Sequence, residues 1–269
     1  MKRLFKKIYL MVMIILSLIS LVYLIYPTVS NMLDRKVSDN IINSYKQSLS
    51  KDSNINNKEL IKIDNYNLNL FSGKLYEGIP KELGLNINDL IGYIEIPCID
   101  IKSPIYLGTN NSVLKKGVGV LEGTSIPVGG INTHSILAAH TGLTNKKLFT
   151  DLDKLQNGDI FFIHSFGRDL EYKVEQIKVV NPEDTEDVRI IKNKDYVTLI
   201  TCYPYGINTQ RLLVRGERIY DDNKVEDVSN KSTNMYQNKI NLLLIFPILA
   251  VLIILIVAFI KSFNERKLR

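Results

Sequence analysis

Tryptophan is absent from the 269 residues, cysteine occurs twice and histidine three times. Each shortage narrows the chemistry. Two cysteines, Cys98 and Cys202, are too few for a scaffold stapled by several disulfides. Without a CxxC pair, an HExxH helix or an EF-hand loop, no metal centre and no cofactor is expected. The carboxylates of "DLDKLQNGD" have the spacing of a solvated turn rather than a calcium loop. No internal repeat occurs, which excludes a solenoid.

Long apolar runs, by contrast, are present twice. Residues 8–26 carry no charge over 19 residues. At the helical rise that run is about 28 Å long, close to the hydrocarbon thickness of a bilayer. It exceeds the h-region of a signal peptide, and "YPTVSN" after it offers no small-x-small cleavage site, so a retained anchor is expected. A second run covers residues 242–260 and tolerates Pro247 as membrane helices do. Lys2, Arg3, Lys6 and Lys7 precede the first run. Lys261, Arg266, Lys267 and Arg269 follow the second, with Glu265 among them. Both ends are therefore expected in the cytoplasm and the middle outside. The two tails carry +4 and +3 of a formal net charge of +6, which leaves the rest one unit negative. The basic balance reports membrane topology and gives no footprint for nucleic acid.

The partition expected is a cytoplasmic tail (1–7), a membrane helix (8–26) and an extracellular stalk or short helices (27–60). A lid-like N-terminal segment (61–90), a β domain (91–219) and a polar tether (220–239) come next. A second membrane helix (240–260) and a cytoplasmic tail (261–269) complete it. Strand signals begin at "IGYIEIPCIDIKSPIYLG", interrupted by Pro97 and Pro104, and continue through "GVGVLEG", "SILAAH", "DIFFIHSF", "LEYKVEQIKVVN", "RIIKN", "YVTLITC" and "RLLVRGERI". About eight short strands punctuated by turn residues predict a closed barrel or a sandwich. "NKKLFTDLDKL" is the one helical or 3₁₀ interruption.

The two cysteines differ in their surroundings. "YVTLITC" ends a strand at Cys202, "YPYGIN" reads as a turn, and "RLLVRGERI" starts the next strand at Arg211. A hairpin would bring Cys202 and Arg211 to the same rim, where a guanidinium favours thiolate and can stabilise an oxyanion. A nucleophilic cysteine needs a base or an imidazolium partner. His140 ends the strand "SILAAH" at a rim, His134 opens that strand at its other end, and His164 lies in "FFIHSF". Spacing ranks His140 first. A Cys98–Cys202 disulfide in a non-enzymatic surface domain is the competing reading.

At these residues the chain resembles sortases, and among them the pilus-assembling class C group, over residues 91–219. The resemblance rests on "TLxTC" with an arginine nine residues on, matched by Thr198, Leu199, Thr201, Cys202 and Arg211. "TCYPYGINTQRLLVRG", "GVGVLEGTSIPVGG", "THSILAAHTGL" and "LFTDLDKLQNGD" extend it. It implies an all-β fold, an eight-stranded barrel with short helices, here flanked by two membrane helices. It further implies Cys202 as nucleophile, His140 as general acid and base, Arg211 as holder of substrate or oxyanion, and a substrate contact for Thr201. The implied activity is transpeptidation: the thiolate cleaves an LPxTG-like sorting signal, and the thioester passes to an amine. In class C that amine is a lysine of a pilin subunit. The alternatives are transfer to cell-wall peptide amines and hydrolysis by water. The partners implied are LPxTG-bearing pilins or surface proteins and the membrane.

Two departures stand out. The Asp-Pro-aromatic lid tripeptide of class C is missing; "DNY" at 64–66 is its nearest counterpart. A loosely held lid is therefore expected, with Tyr66 or Phe71 filling the cleft and Asp64 approaching Arg211. Cys98 follows "EIP", where the family more often has a basic residue.

Overall fold

The computed structural model describes residues 2–51, 53–74, 76, 78–143 and 146–220. These fall into two units, residues 2–32 and residues 33–220. The second membrane helix expected over 240–260, the tether from 221 and the C-terminal tail lie outside the described residues.

Eight strands close into a barrel: β1 (Leu90–Ile96), β2 (Ile101–Leu107), β3 (Val118–Val120), β4 (Thr133–Ala138), β5 (Ile160–Ser165), β6 (Arg168–Val180), β7 (Asp195–Tyr203) and β8 (Gln210–Ile219). Their order around it is β1-β2-β3-β4-β7-β8-β6-β5. Neighbours pair antiparallel except β2 with β3 and β4 with β7, which are parallel. Alternate residues point inward. Ile94, Ile105, Leu137, Phe161, Ile163, Tyr172, Val197, Leu199 and Val214 fill the interior with no exposed surface. Gly216 of β8 passes directly over the Phe161 ring, where a methyl would come within 2.5 Å of it.

The strands match the sequence reading with two corrections. "IGYIEIPCIDIKSPIYLG" is two strands, split at the 3₁₀ turn Pro97–Ile99. "RIIKN" is no strand: Lys194 N–H closes on the Ile191 carbonyl and Asn193 takes φ 62°. Pro104 does not end β2, because β3 pairs only from Ile105 onward and leaves that stretch of β2 without a second neighbour.

Helix α1 (Lys2–Lys51) runs through Pro27, and α2 (Ser53–Phe71) comes after it. Within α1 lies the one stretch among the described residues long and apolar enough to cross a membrane, and none of it is buried. The polar segment expected as a stalk or short helices is helical, and it is docked on the barrel. Ser38, Ile42 and Tyr45 are buried, and Leu49 extends their stripe one turn on. The Tyr45 hydroxyl accepts from Phe166 N–H and donates to the Ile91 carbonyl, each at 2.7 Å. The sparse apolar residues of this segment sit at helical spacing, so a few suffice to seat it on β1 and β5. A single-turn helix, α3 (Asn111–Leu114), is capped by the Asn110 side chain.

Candidate active site

Three neighbouring strands, β4, β7 and β8, carry the residues of interest. Val197 and Leu199 point into the barrel, so Thr198, Ile200 and Cys202 point out. On β8, Leu212 and Val214 are interior and Arg211 is on the outer face. The β7–β8 register sets Cys202 directly opposite Arg211. On the other side, β4 pairs with β7 as far as Ala138 opposite Ile200. Ala139 N–H then bonds to the Ile200 carbonyl at 3.2 Å, and Ala139 itself is buried in the core. Continued one residue further, the same register would bring His140 level with Cys202. Cysteine and arginine thus face each other on adjacent strands, and the histidine follows two residues past the end of the strand on the other side.

The turn between Cys202 and Arg211 is fixed locally. Ile207 and Asn208 N–H groups both close on the Pro204 carbonyl, at 3.1 and 2.9 Å. Arg211 Nη1 donates to the Gln210 carbonyl at 2.9 Å and the Asn208 carbonyl at 3.3 Å. No carboxylate pairs with Arg211 among the described residues, so its charge is available to a ligand. Past His140, Gly142 takes φ 76° under the Tyr205 ring, where a methyl would approach to 3.0 Å. The turn therefore lies over the start of the histidine loop.

Thr201, expected to touch substrate, is buried on the face opposite to Cys202. Its hydroxyl donates to the Ala139 carbonyl at 2.8 Å and stitches β7 to β4 just below His140. The other two histidines are committed elsewhere. His134 is fully buried, with Nδ1 2.8 Å from the Arg189 carbonyl and Nε2 2.7 Å from the Thr198 hydroxyl. A carbonyl can only accept, so Nδ1 carries the proton and Nε2 accepts from Thr198. Burial pushes this imidazole down to about 4, which leaves it neutral. His164 bonds the Asp169 carboxylate and stacks on Tyr93 at 4.2 Å, on the β5 side of the barrel.

Cys98 and Cys202 are both free thiols, which removes the disulfide reading. Cys98 sits in the Pro97–Ile99 turn, where desolvation and the nearby Asp159 carboxylate push its thiol up to about 11. It is a poor thiolate source.

The lid expectation is corrected. Asp64 does not approach Arg211; it forks onto Arg168 at 2.9 and 3.1 Å. Tyr66 packs in the core beside Tyr76, and Ile63 is fully buried next to it. Phe71, at the end of α2, keeps about a third of its surface exposed. Asn67, which the sequence reading missed, is buried and bonds both ways to Ile126, at 3.0 Å to its carbonyl and 2.9 Å from its N–H. Its signal was available: an asparagine one turn from Ile63 on an otherwise apolar helix face.

The same residues carry the likeness to known proteins. The Sortase domain family model matches residues 94–219. The X-ray structure of Clostridium perfringens sortase C with the C-terminal cell wall sorting motif is 56% identical, covers 67% of this chain and 98% of its own, and superposes with a TM-score of 0.64. Streptococcus pneumoniae sortase C, whose structure was described for catalysis and pilin substrate specificity, is 40% identical with a TM-score of 0.61, covering 67% and 96%. Sortase A of Streptococcus agalactiae is 31% identical over 131 residues, 48% of this chain, which spans about half the length of that relative (52%).

Proposed function

The chain belongs to the sortase family of cysteine transpeptidases, and from that premise we propose that Cys202, His140 and Arg211 cleave an LPxTG-like sorting signal and pass its acyl group to a pilin lysine. The observation that supports this reading is the register that sets Cys202 opposite Arg211 on β7 and β8, with His140 two residues past the end of the neighbouring β4.

The chemistry comes from the positions. The Cys202 thiolate adds to the threonine carbonyl of the Thr–Gly bond, and Arg211 stabilises the oxyanion or holds the carbonyl in place. The tetrahedral adduct collapses as the C–N bond breaks. His140 gives its proton to the departing glycine amine, leaving a thioester on Cys202 and a neutral imidazole. The incoming amine attacks the thioester and yields its proton to His140. The C–S bond breaks, and the thiolate and imidazolium are restored. Net, one amide is exchanged for another, so the step balances without an oxidant or a reductant.

The sorting-signal substrate is supported by the motif named for the C. perfringens structure, and the pilin acceptor by the pilin specificity named for the S. pneumoniae enzyme. The apolar stretch of α1 supports anchoring in the cell membrane. The basic tails support cytoplasmic ends and an extracellular barrel.

The test is acyl-enzyme formation with an LPxTG-like peptide, read by intact-protein mass. Cys202→Ala is expected to abolish the adduct and Cys98→Ala to retain it. A thioester in the Cys202 variant would end the mechanism. Offering a pilin lysine and a cell-wall precursor amine in competition then identifies the acceptor.

A further inference from the structure

The loop after His140, residues 141–150, has an uneven hold on the barrel. At its far end Leu148 and Phe149 are buried in the core, and Phe149 N–H bonds back to the His140 carbonyl at 3.2 Å. The near end has no strand ladder. Among its described residues, 141–143, 146 and 147, no side chain is fully buried. That end is held by the Gly142 N–H bond to the Thr150 hydroxyl at 3.1 Å, by Leu143 packed on the core, and by charge from outside the barrel. Lys146 Nζ lies 2.7 Å from the Asp34 carboxylate of α1, with side chains only 17% and 18% exposed, and it also donates to the Lys116 carbonyl at 3.2 Å. Lys147 donates to the Ile99 carbonyl at 2.6 Å and pairs with Asp151 at 2.8 Å. The turn holding Ile99 ends at Asp100, whose carboxylate and carbonyl both receive Arg35. Two successive residues of α1 therefore grip the histidine loop and the turn beside it.

We propose that Asp34 is a positioning residue for the reaction at Cys202, acting through Lys146 to fix the loop that begins at His140. The proposal rests on His140 as the proton-transfer group. That role makes the loop's placement matter. The imidazole must reach the departing amine and then the incoming one, and a misplacement of about 1 Å can cost on the order of 10²-fold in rate. An exposed ion pair would contribute little to order. This one is mostly shielded, and it adds to the Gly142 N–H bond to the Thr150 hydroxyl and the packing of Leu143 on the core. Asp34 touches no reacting atom, so its effect belongs in turnover rather than in substrate binding.

The experiment uses the full chain in detergent, with Asp34→Lys, Lys146→Asp and the double charge swap. Two readouts are taken: hydrogen exchange of amides in 141–150, and steady-state transfer from an LPxTG-like peptide to an amine. Each single variant is expected to speed exchange near Gly142 several-fold. Each should lower kcat by roughly tenfold, KM staying near wild type and the thermal midpoint barely moving. The swap should recover most of both, short of completion because Lys116 loses its donor. Unchanged exchange in the single variants, or a swap no better than either, overturns the proposal. His140→Ala in the same assay separates the two levels. Retained transfer there removes the premise. Lost transfer there, with Asp34→Lys turning over normally, removes this inference alone.

Discussion

At the residue scale, each charged or titratable side chain near the site is decided by its partner. Arg211 spends Nη1 on two carbonyls of its own turn and still has Nε and Nη2 for substrate. A lysine could not do both, since its single ammonium lacks the planar fork. Arg211→Lys is therefore expected to slow acyl-enzyme formation by roughly 10²-fold, the usual consequence of losing a donor to a developing oxyanion. Near wild-type formation in a single-turnover assay would reduce Arg211 to a distant charge. His134 makes the opposite case. Its unfolded form takes a proton near 6.5, and its buried form only near about 4. Between those values the unfolded chain binds more protons. The stability His134 contributes is thus intact above 6.5 and lost as pH falls toward 4, by roughly 3 kcal/mol in all. Asp195 works the other way, because burial raises its carboxyl and the folded state takes up that proton first. Urea midpoints of the barrel should fall between about pH 7 and pH 5. His134→Gln, which can donate to Arg189 and accept from Thr198, should flatten that slope. An equally steep slope in the variant would place the acid sensitivity elsewhere.

At the scale of elements, the sequence disclosed what repeats and concealed what happens once. Strand alternation and turn residues made β4 through β8 legible, and "YVTLITC" with "RLLVRG" even conveyed the pairing of Cys202 with Arg211. His140 could be ranked but not chosen by spacing. Its selection needs the parallel pairing of β4 with β7, a contact between segments some sixty residues apart. A still longer separation hides the fate of Asp64, whose partner Arg168 is 104 residues away. Segment 60–76 was read through its missing proline as a loose lid, yet α2 is docked against the barrel. Asn67 shows why. Asn67→Ala would leave the Ile126 N–H buried and unpaired, while the Ile126 carbonyl keeps its bond from Val128 N–H, a cost of about 2 kcal/mol. The urea midpoint should drop accordingly with its slope unchanged. Deleting residues 60–76 should unfold the barrel rather than merely alter Cys202 alkylation, since Ile63 and Tyr66 leave the core with it. A deletion variant with a cooperative, near wild-type melt would restore the lid.

At the scale of the whole molecule, topology decides whether the site can meet its substrate at all. If the substrate is a sorting signal on a secreted protein, as proposed, the barrel is expected outside. The charges argue for that side. Four cations precede the apolar run of α1, and no acidic residue accompanies them. Basic residues flanking a span are retained on the cytoplasmic face, so the chain beyond residue 26 should emerge outside. If residues 240–260 span as well, the chain returns, and the +3 tail lies on the same side as the +4 one. Protease added to intact cells should then cut within residues 33–220 and spare epitope tags at both ends. Neutralising Lys261, Arg266, Lys267 and Arg269 should expose the C-terminal tag while leaving the N-terminal one protected, because each tail is held by its own cations. A C-terminal tag removed from the unaltered chain would mean that residues 240–260 do not cross, and that α1 alone anchors the enzyme.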